Sequence, residues 1–192
     1  MSGYEVELID PLEVSTRPTP QDGSFKPHFA YAKGKAPEDL NALARKIEGA
    51  DGFVMVSPEY NHSMSPALAD LLNHFGSSLF SYKPSAIVTY SAGQWGGARA
   101  AVNMRTFLSE LGCLPVSAMV HFPKAHEVLA EGGEIAPGQD GASWDKYCGR
   151  SWTQLAWWAL AARSLRQSVE PLSVAAPFRT SPEQRNAGSS KA

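Results

Sequence analysis

The sequence predicts an α/β fold, a three-layer sandwich in which helices cover both faces of a mainly parallel sheet. Three observations predict it. Segments that read as strands, at residues 53–56, 86–90 and 114–122, alternate with longer stretches whose apolar residues recur at helical spacing. The run Phe53-Val54-Met55-Val56 is apolar on both faces, as strands inside a doubly covered sheet are. Parallel strands need crossovers, and the intervening helices supply them.

Taken in order, Tyr4-Glu5-Val6-Glu7-Leu8-Ile9 alternates polar and apolar before Asp10-Pro11 and reads as a short edge strand. Residues 15–35, rich in proline and glycine, read as a long surface excursion. Pro37 suits a first helical position, Glu38 and Asp39 its first turn, and Leu40, Leu43 and Ile47 one apolar face of a helix ending near Gly49. Residues 53–56 follow as a central parallel strand. Ser65-Pro66 then caps and opens a helix carrying Leu68, Leu71, Leu72 and Phe75. A strand at 86–90, a glycine-rich turn at 91–97 and a helix at 98–111, stopped by Gly112, continue the rhythm. Residues 114–122 form a further strand. Trp144, Cys148, Trp152, Leu155, Ala159 and Ala162 stripe a helix over 144–169. Trp157 and Trp158 must face different ways, which leaves one of them for a subunit contact.

The whole is 192 residues, read as one domain over 1–169 with a disordered tail at 170–192 that lacks periodicity. Hydrophobic residues make up 43% and charged ones 19%, which excludes global disorder. A net charge of −2 gives no general field for phosphate backbones or anionic lipid, so neither nucleic acid nor a membrane is an expected partner. Cys113 and Cys148 stand too far apart to form a zinc pair or a disulfide framework, and no secretory signal or apolar run of about 18 residues occurs. A cytoplasmic protein is expected. Asn61-His62-Ser63 matches a glycosylation acceptor that has no use there.

In an open parallel sheet, ligands bind beyond the carboxyl ends of the strands. Two segments fall there: Pro58-Glu59-Tyr60-Asn61 after the first apolar strand, and Ser91-Ala92-Gly93-Gln94-Trp95-Gly96-Gly97 after the next. Each precedes a helix. Glycine lets a backbone approach a planar ligand and present N–H groups to it, so an electron-rich ring system suits the pair.

These segments resemble the NADPH-dependent FMN reductase family, flavodoxin-like proteins that include quinone and azo-dye reductases. Pro58-Glu59-Tyr60-Asn61 matches the family's first flavin loop, and Ser91-x-Gly93-x-x-Gly96-Gly97 its second. The likeness continues through residues 99–113 and, less distinctly, to about Arg163. It implies an FMN flavoprotein and oxidoreductase that takes NAD(P)H as co-substrate and reduces flavin, quinones or another small-molecule acceptor as a homodimer. Pro58, Glu59, Tyr60, Asn61, Ser91, Gly93, Gly96 and Gly97 would then be cofactor-binding, mostly through backbone. Tyr60 or Trp95 would stack on a ring or bridge a partner subunit. No side chain is required as a catalytic nucleophile or base, because the cofactor carries the chemistry.

The sequence departs from the family in two places. Leu68-Ala69-Asp70-Leu71-Leu72-Asn73-His74 stands where the family has leucine-lysine-asparagine followed by aspartate-tryptophan. The family also opens with a strand and a glycine-serine-x-arginine phosphate loop. Here residues 4–9 align with the family's second strand, so the first strand-loop-helix unit is expected to be missing. Ser15-Thr16-Arg17 is a poor substitute, since it opens no helix. The alternative reading is a shortened, non-catalytic interaction protein that keeps the dimer surface at 65–75 and 97–111 and has lost FMN. Other polar residues read as structural. Glu59 reads as a solvated turn carboxylate, the five histidines lack metal spacing, and Cys113 reads as a buried small apolar residue.

Overall fold

The computed structural model describes residues 3–13, 26–32 and 34–169. Ser15-Thr16-Arg17, much of the 15–35 excursion and the 170–192 tail lie outside the described residues.

The described part is built from β1 (Phe53–Pro58), β2 (Pro84–Tyr90), β3 (Leu114–Pro115) and β4 (Val120–Phe122), with helices α1 (Glu38–Gly49), α2 (Pro66–Asn73), α3 (Ser77–Phe80), α4 (Ala98–Glu110), α5 (Ala125–Val128) and α6 (Gly141–Ser168). All strand pairings are parallel, as the alternation of strands and helices requires. β1 pairs with β2 from Phe53↔Ser85 to Pro58↔Tyr90, and β3 and β4 both pair with the other edge of β2. The strand expected at 114–122 is therefore broken in two. Its interruption is held from both sides: Arg105 of α4 donates to the carbonyls of Val116 and Pro115 at 2.7 and 3.3 Å, while Gln154 of α6 accepts the Ala118 N–H at 3.0 Å. The buried Ser151 hydroxyl donates to the Ala118 carbonyl at 3.0 Å. Residues that leave the ladder thus keep partners for their backbone groups.

The main core lies on one face of the sheet. Leu40, Leu43 and Ile47 of α1, Leu68, Leu71 and Leu72 of α2, and Met104 and Leu108 of α4 pack with Met55 and Ile87 of the strands. α6 covers the other face over β2 and β4, where Ala86, Val88 and Val120 are buried. The helices begin and end much as their residues demand. Ser65 accepts the Leu68 N–H at 3.2 Å to cap α2, and Asp140 accepts the Ser143 N–H at 3.1 Å to cap α6, three residues before the expected start.

Two expectations fail here, and they fail together. Residues 4–9 form no strand: Val6 and Leu8 are exposed, Glu7 pairs with Lys46 of α1, and Ile9 rests against the main core. β1, read as central, is consequently a sheet edge among the described residues. Its core face is closed by Met55, whereas Val54 and Val56, on the α6 side, are 46% and 52% exposed. Period-2 placement explains the alternation, and α6 lies too far across the sheet to cover both valines.

Candidate functional site

Both predicted loops sit at the carboxyl end of the sheet, and the register of β1 on β2 brings them side by side. Pro58 is opposite Tyr90, the Glu59 N–H donates to the Tyr90 carbonyl at 3.0 Å, and Ser91 follows immediately. The first loop is a tight turn closed by reciprocal bonds between Tyr60 and Ser63, each 2.9 Å. Asn61 and His62 take positive φ angles of 49° and 64° within it. Asparagine tolerates that region better than most residues. Tyr60 and Asn61 are exposed, and Pro58 and Glu59 are half-buried.

Glu59 is not a solvated turn carboxylate. Its Oε1 accepts the N–H of Ala100, in the first turn of α4, at 3.3 Å. The α4 N-cap is Gly97, which has no side chain to do this, so a carboxylate from the neighbouring loop caps the helix and meets its positive end. Asn103 of α4 donates to the His62 carbonyl at 2.5 Å and adds a second tie. The two loops form one unit.

The second loop is bound to the segment after β4. The Ser91 N–H donates to the Phe122 carbonyl at 3.2 Å, Lys124 N–H to the Gly93 carbonyl at 2.9 Å, and Ala125 N–H to the Ser91 carbonyl at 3.0 Å. The Ser91 hydroxyl turns onto the Gly93 carbonyl at 3.2 Å. Gly96 and Gly97 are buried with φ of 58° and 81°. A Cβ on Gly96 would stand 2.7 Å from the Pro123 nitrogen, and one on Gly97 2.7 Å from the Thr89 Cβ. These two glycines are required by the protein's own packing. Gly93 differs, because a Cβ there would meet only the Ser91 Oγ, at an ordinary contact distance of 3.9 Å. Trp95 is 58% exposed, with the Arg99 guanidinium 5.8 Å from its ring centre. Among the described residues the amides of Gln94 and Trp95 make no hydrogen bond, so the exposed rim of this loop has donors to offer.

Thr89 and His121 also belong to the site and carry no motif that would reveal them. The Thr89 Oγ1 lies 2.9 Å from the Gly96 carbonyl and 2.8 Å from His121 Nδ1. A carbonyl only accepts, so the single hydroxyl proton of Thr89 goes to Gly96 and its oxygen accepts from His121 Nδ1–H. Burial lowers the His121 pKa and so favours the neutral ring. The relay fixes Gly96 from below.

This arrangement offers a flat ledge with exposed aromatic rings, open amides and one apposed cation, which fits the ring system of a planar cofactor. A phosphate cradle has no counterpart among the described residues: Glu59 occupies the α4 terminus, and Ser65 caps α2. Those residues hold no cluster fit for a metal ion, and no helix among them is long and apolar enough to cross a membrane. Cys113 is buried and its thiol is pushed up to about 12 by that burial, consistent with an inert packing role.

Comparison with known proteins gives a consistent picture. The family model described as NADPH-dependent FMN reductase matches residues 1–127. An NADPH azoreductase of Bacillus sp. (strain OY1-2) is 32% identical over 99 residues, 52% of this chain and 56% of that protein. A quinone reductase of Escherichia coli (strain K12) is 40% identical over 100 residues, 50% of this chain and 53% of its own length. The chain thus spans about half the length of these curated relatives. Among solved structures, the flavoenzyme NAD(P)H:(acceptor) oxidoreductase FerB from Paracoccus denitrificans superposes with a TM-score of 0.55 at 24% identity. The match covers 69% of this chain and 75% of that one.

Proposed function

Since the chain belongs to the NADPH-dependent FMN reductase family, we propose that it is an FMN-dependent oxidoreductase that uses NAD(P)H to reduce quinones or similar small-molecule acceptors. The observation that carries this reading is the Glu59 to Ala100 bond, which joins the two loops into one ledge at the ligand-binding end of the sheet.

On this reading FMN, when bound, would supply the hydride and electron-transfer chemistry between NAD(P)H and the acceptor. The chain binds and orients. Gln94 and Trp95 would offer amides to the cofactor, Tyr60 or Trp95 would stack on its ring or bridge a partner subunit, and Pro58, Asn61, Ser91 and Gly93 set the ledge through their backbone. Glu59, Gly96 and Gly97 act from behind, by capping α4 and by seating the loop on β2 and β4. No side chain of this chain serves as a nucleophile or essential base. We place the protein in the cytoplasm as a homodimer whose contact uses α2 and α4, a reading supported by the exposure of Val102 on α4.

A second reading, an interaction protein without FMN, draws on the uncovered Val54 and Val56 and on the lack of a phosphate cradle among the described residues. One titration separates the two. Purified protein mixed with FMN is expected to quench flavin fluorescence saturably and then to oxidise NADPH on addition of a benzoquinone. Unquenched flavin with no NADPH oxidation would leave the interaction reading in its place.

A further inference from the structure

A second concave surface adjoins the ledge. A cleft of about 500 Å³ opens between the second loop, the end of β4 and the start of α6. His121, Trp144, Tyr147 and Trp95 line it, and the only charged residue among its lining is Asp140. Trp144 stacks on Phe122 with ring centres 4.9 Å apart and meets Tyr147 edge-on at 5.7 Å, so the aromatic wall is braced from behind.

The polar groups in this wall have fixed roles. The Nδ1–H of His121 is committed to Thr89, as the proton count at Thr89 requires. Its Nε2 therefore carries a lone pair and acts as an acceptor. The Tyr147 oxygen accepts the His121 backbone N–H at 3.0 Å, which leaves its own O–H to donate. Donor and acceptor thus both belong to residues that line the aromatic cleft. The lining holds Asp140 and no lysine or arginine, and the nearby Arg99 and Arg150 guanidiniums lie over the Trp95 and Tyr147 rings at 5.8 and 4.9 Å, so the cleft is not built around a cation that would pair with a phosphate or carboxylate. A nucleotide does not suit it; a neutral ring bearing hydroxyl groups does.

We propose that this cleft binds neutral phenols and hydroquinones, with a ligand hydroxyl donating to His121 Nε2 while its oxygen accepts from Tyr147 and its ring lies against Trp144. As a site for the reduced acceptor this rests on the oxidoreductase reading above; as a binding site it does not.

The test uses the full chain without FMN or NAD(P)H, under argon, with 1,4-hydroquinone as probe and 1,4-dimethoxybenzene as the analogue that cannot donate. Saturable binding is read from the Trp144 indole and His121 signals by NMR. Hydroquinone is expected to bind about five-fold tighter than the dimethyl ether, the order one hydrogen bond contributes. His121→Asn, whose amide NH₂ keeps a donor for Thr89 but has no counterpart of Nε2, is expected to remove that preference. Equal affinity for the two probes, or a protonated Nε2 in the nitrogen spectrum of the wild type, would overturn the assignment without needing any variant to fold. FMN titration is read separately, so failure of the flavin reading leaves this result standing, and the reverse.

Discussion

The carboxylate of Glu59 accepts the backbone N–H of Ala100 at 3.3 Å, across 41 positions of sequence. It does for α4 what a capping side chain at Gly97 would do if glycine had one. Glu59→Ala is therefore expected to destabilise the fold by about 1 kcal/mol, the usual value of a lost cap. It should also loosen the first loop from the second, and flavin affinity should fall with it. Urea unfolding at neutral pH measures the first effect; an unchanged midpoint would show that the carboxylate caps nothing in solution.

The glycines of the second loop divide by what surrounds them. Gly97→Ala places a Cβ 2.7 Å from that of Thr89 at a φ of 81°, so steric overlap and backbone strain add. A loss of about 2 kcal/mol or more is expected. Gly93→Ala makes only an ordinary contact with the Ser91 Oγ at 3.9 Å and should stay within roughly 0.5 kcal/mol of the wild type. If Gly93 serves close approach to a ring, its variant should lose flavin affinity while melting normally. The discriminating outcome is that split, read by thermal unfolding and flavin fluorescence on the same samples.

How far the sequence reveals this molecule depends on which physical signal each part carries. α1, α2, α4 and α6 announce themselves through apolar periodicity and terminal residues such as Ser65 and Gly112, because local rules set their ends. β2 is visible as a run rich in strand formers for the same reason. Residues 4–9 mislead because alternation reports a residue's preference for a half-covered strand and says nothing of whether a neighbouring strand is there to pair with. β1 misleads in the complementary way, since Val54 and Val56 look buried and no helix among the described residues covers them fully. In the site, the two loops are legible as turn chemistry after strands. The partnership of Thr89 with His121 is not, for it joins residues 32 positions apart through a register that only the folded sheet defines.

His121 also predicts a pH dependence. Burial holds its folded pKa below the ordinary 6.5, so as pH falls through that value the unfolded chain takes up a proton before the folded one does. Stability is fully present above about 6.5 and is lost as pH falls toward the folded pKa. His74, lowered chiefly by burial with Asp70 and Asp39 opposing, contributes in the same direction. Thermal melts from about pH 8 to pH 5 should show a declining midpoint, and His121→Asn should flatten part of the slope. A midpoint that rises on acidification would contradict the burial of both rings.

Lys83 supplies the last case, a buried cation whose role is structural. Its Nζ donates to the carbonyls of Ile47, Glu48 and Leu79 at 2.8, 2.6 and 2.9 Å, so one side chain closes the end of α1 and engages α3. Helix termini leave such carbonyls without intrahelical donors, and cations near them also meet the negative end of the helix. Lys83→Met keeps the apolar stem and leaves three carbonyls without their donor, at an expected cost of about 2–4 kcal/mol. Hydrogen exchange should locate the damage at the last turn of α1 before any change appears at the Pro58 or Ser91 loops, which lie at the other end of the strands. Equal loss of protection at both ends would mean that Lys83 supports the whole sheet and not the helix ends alone.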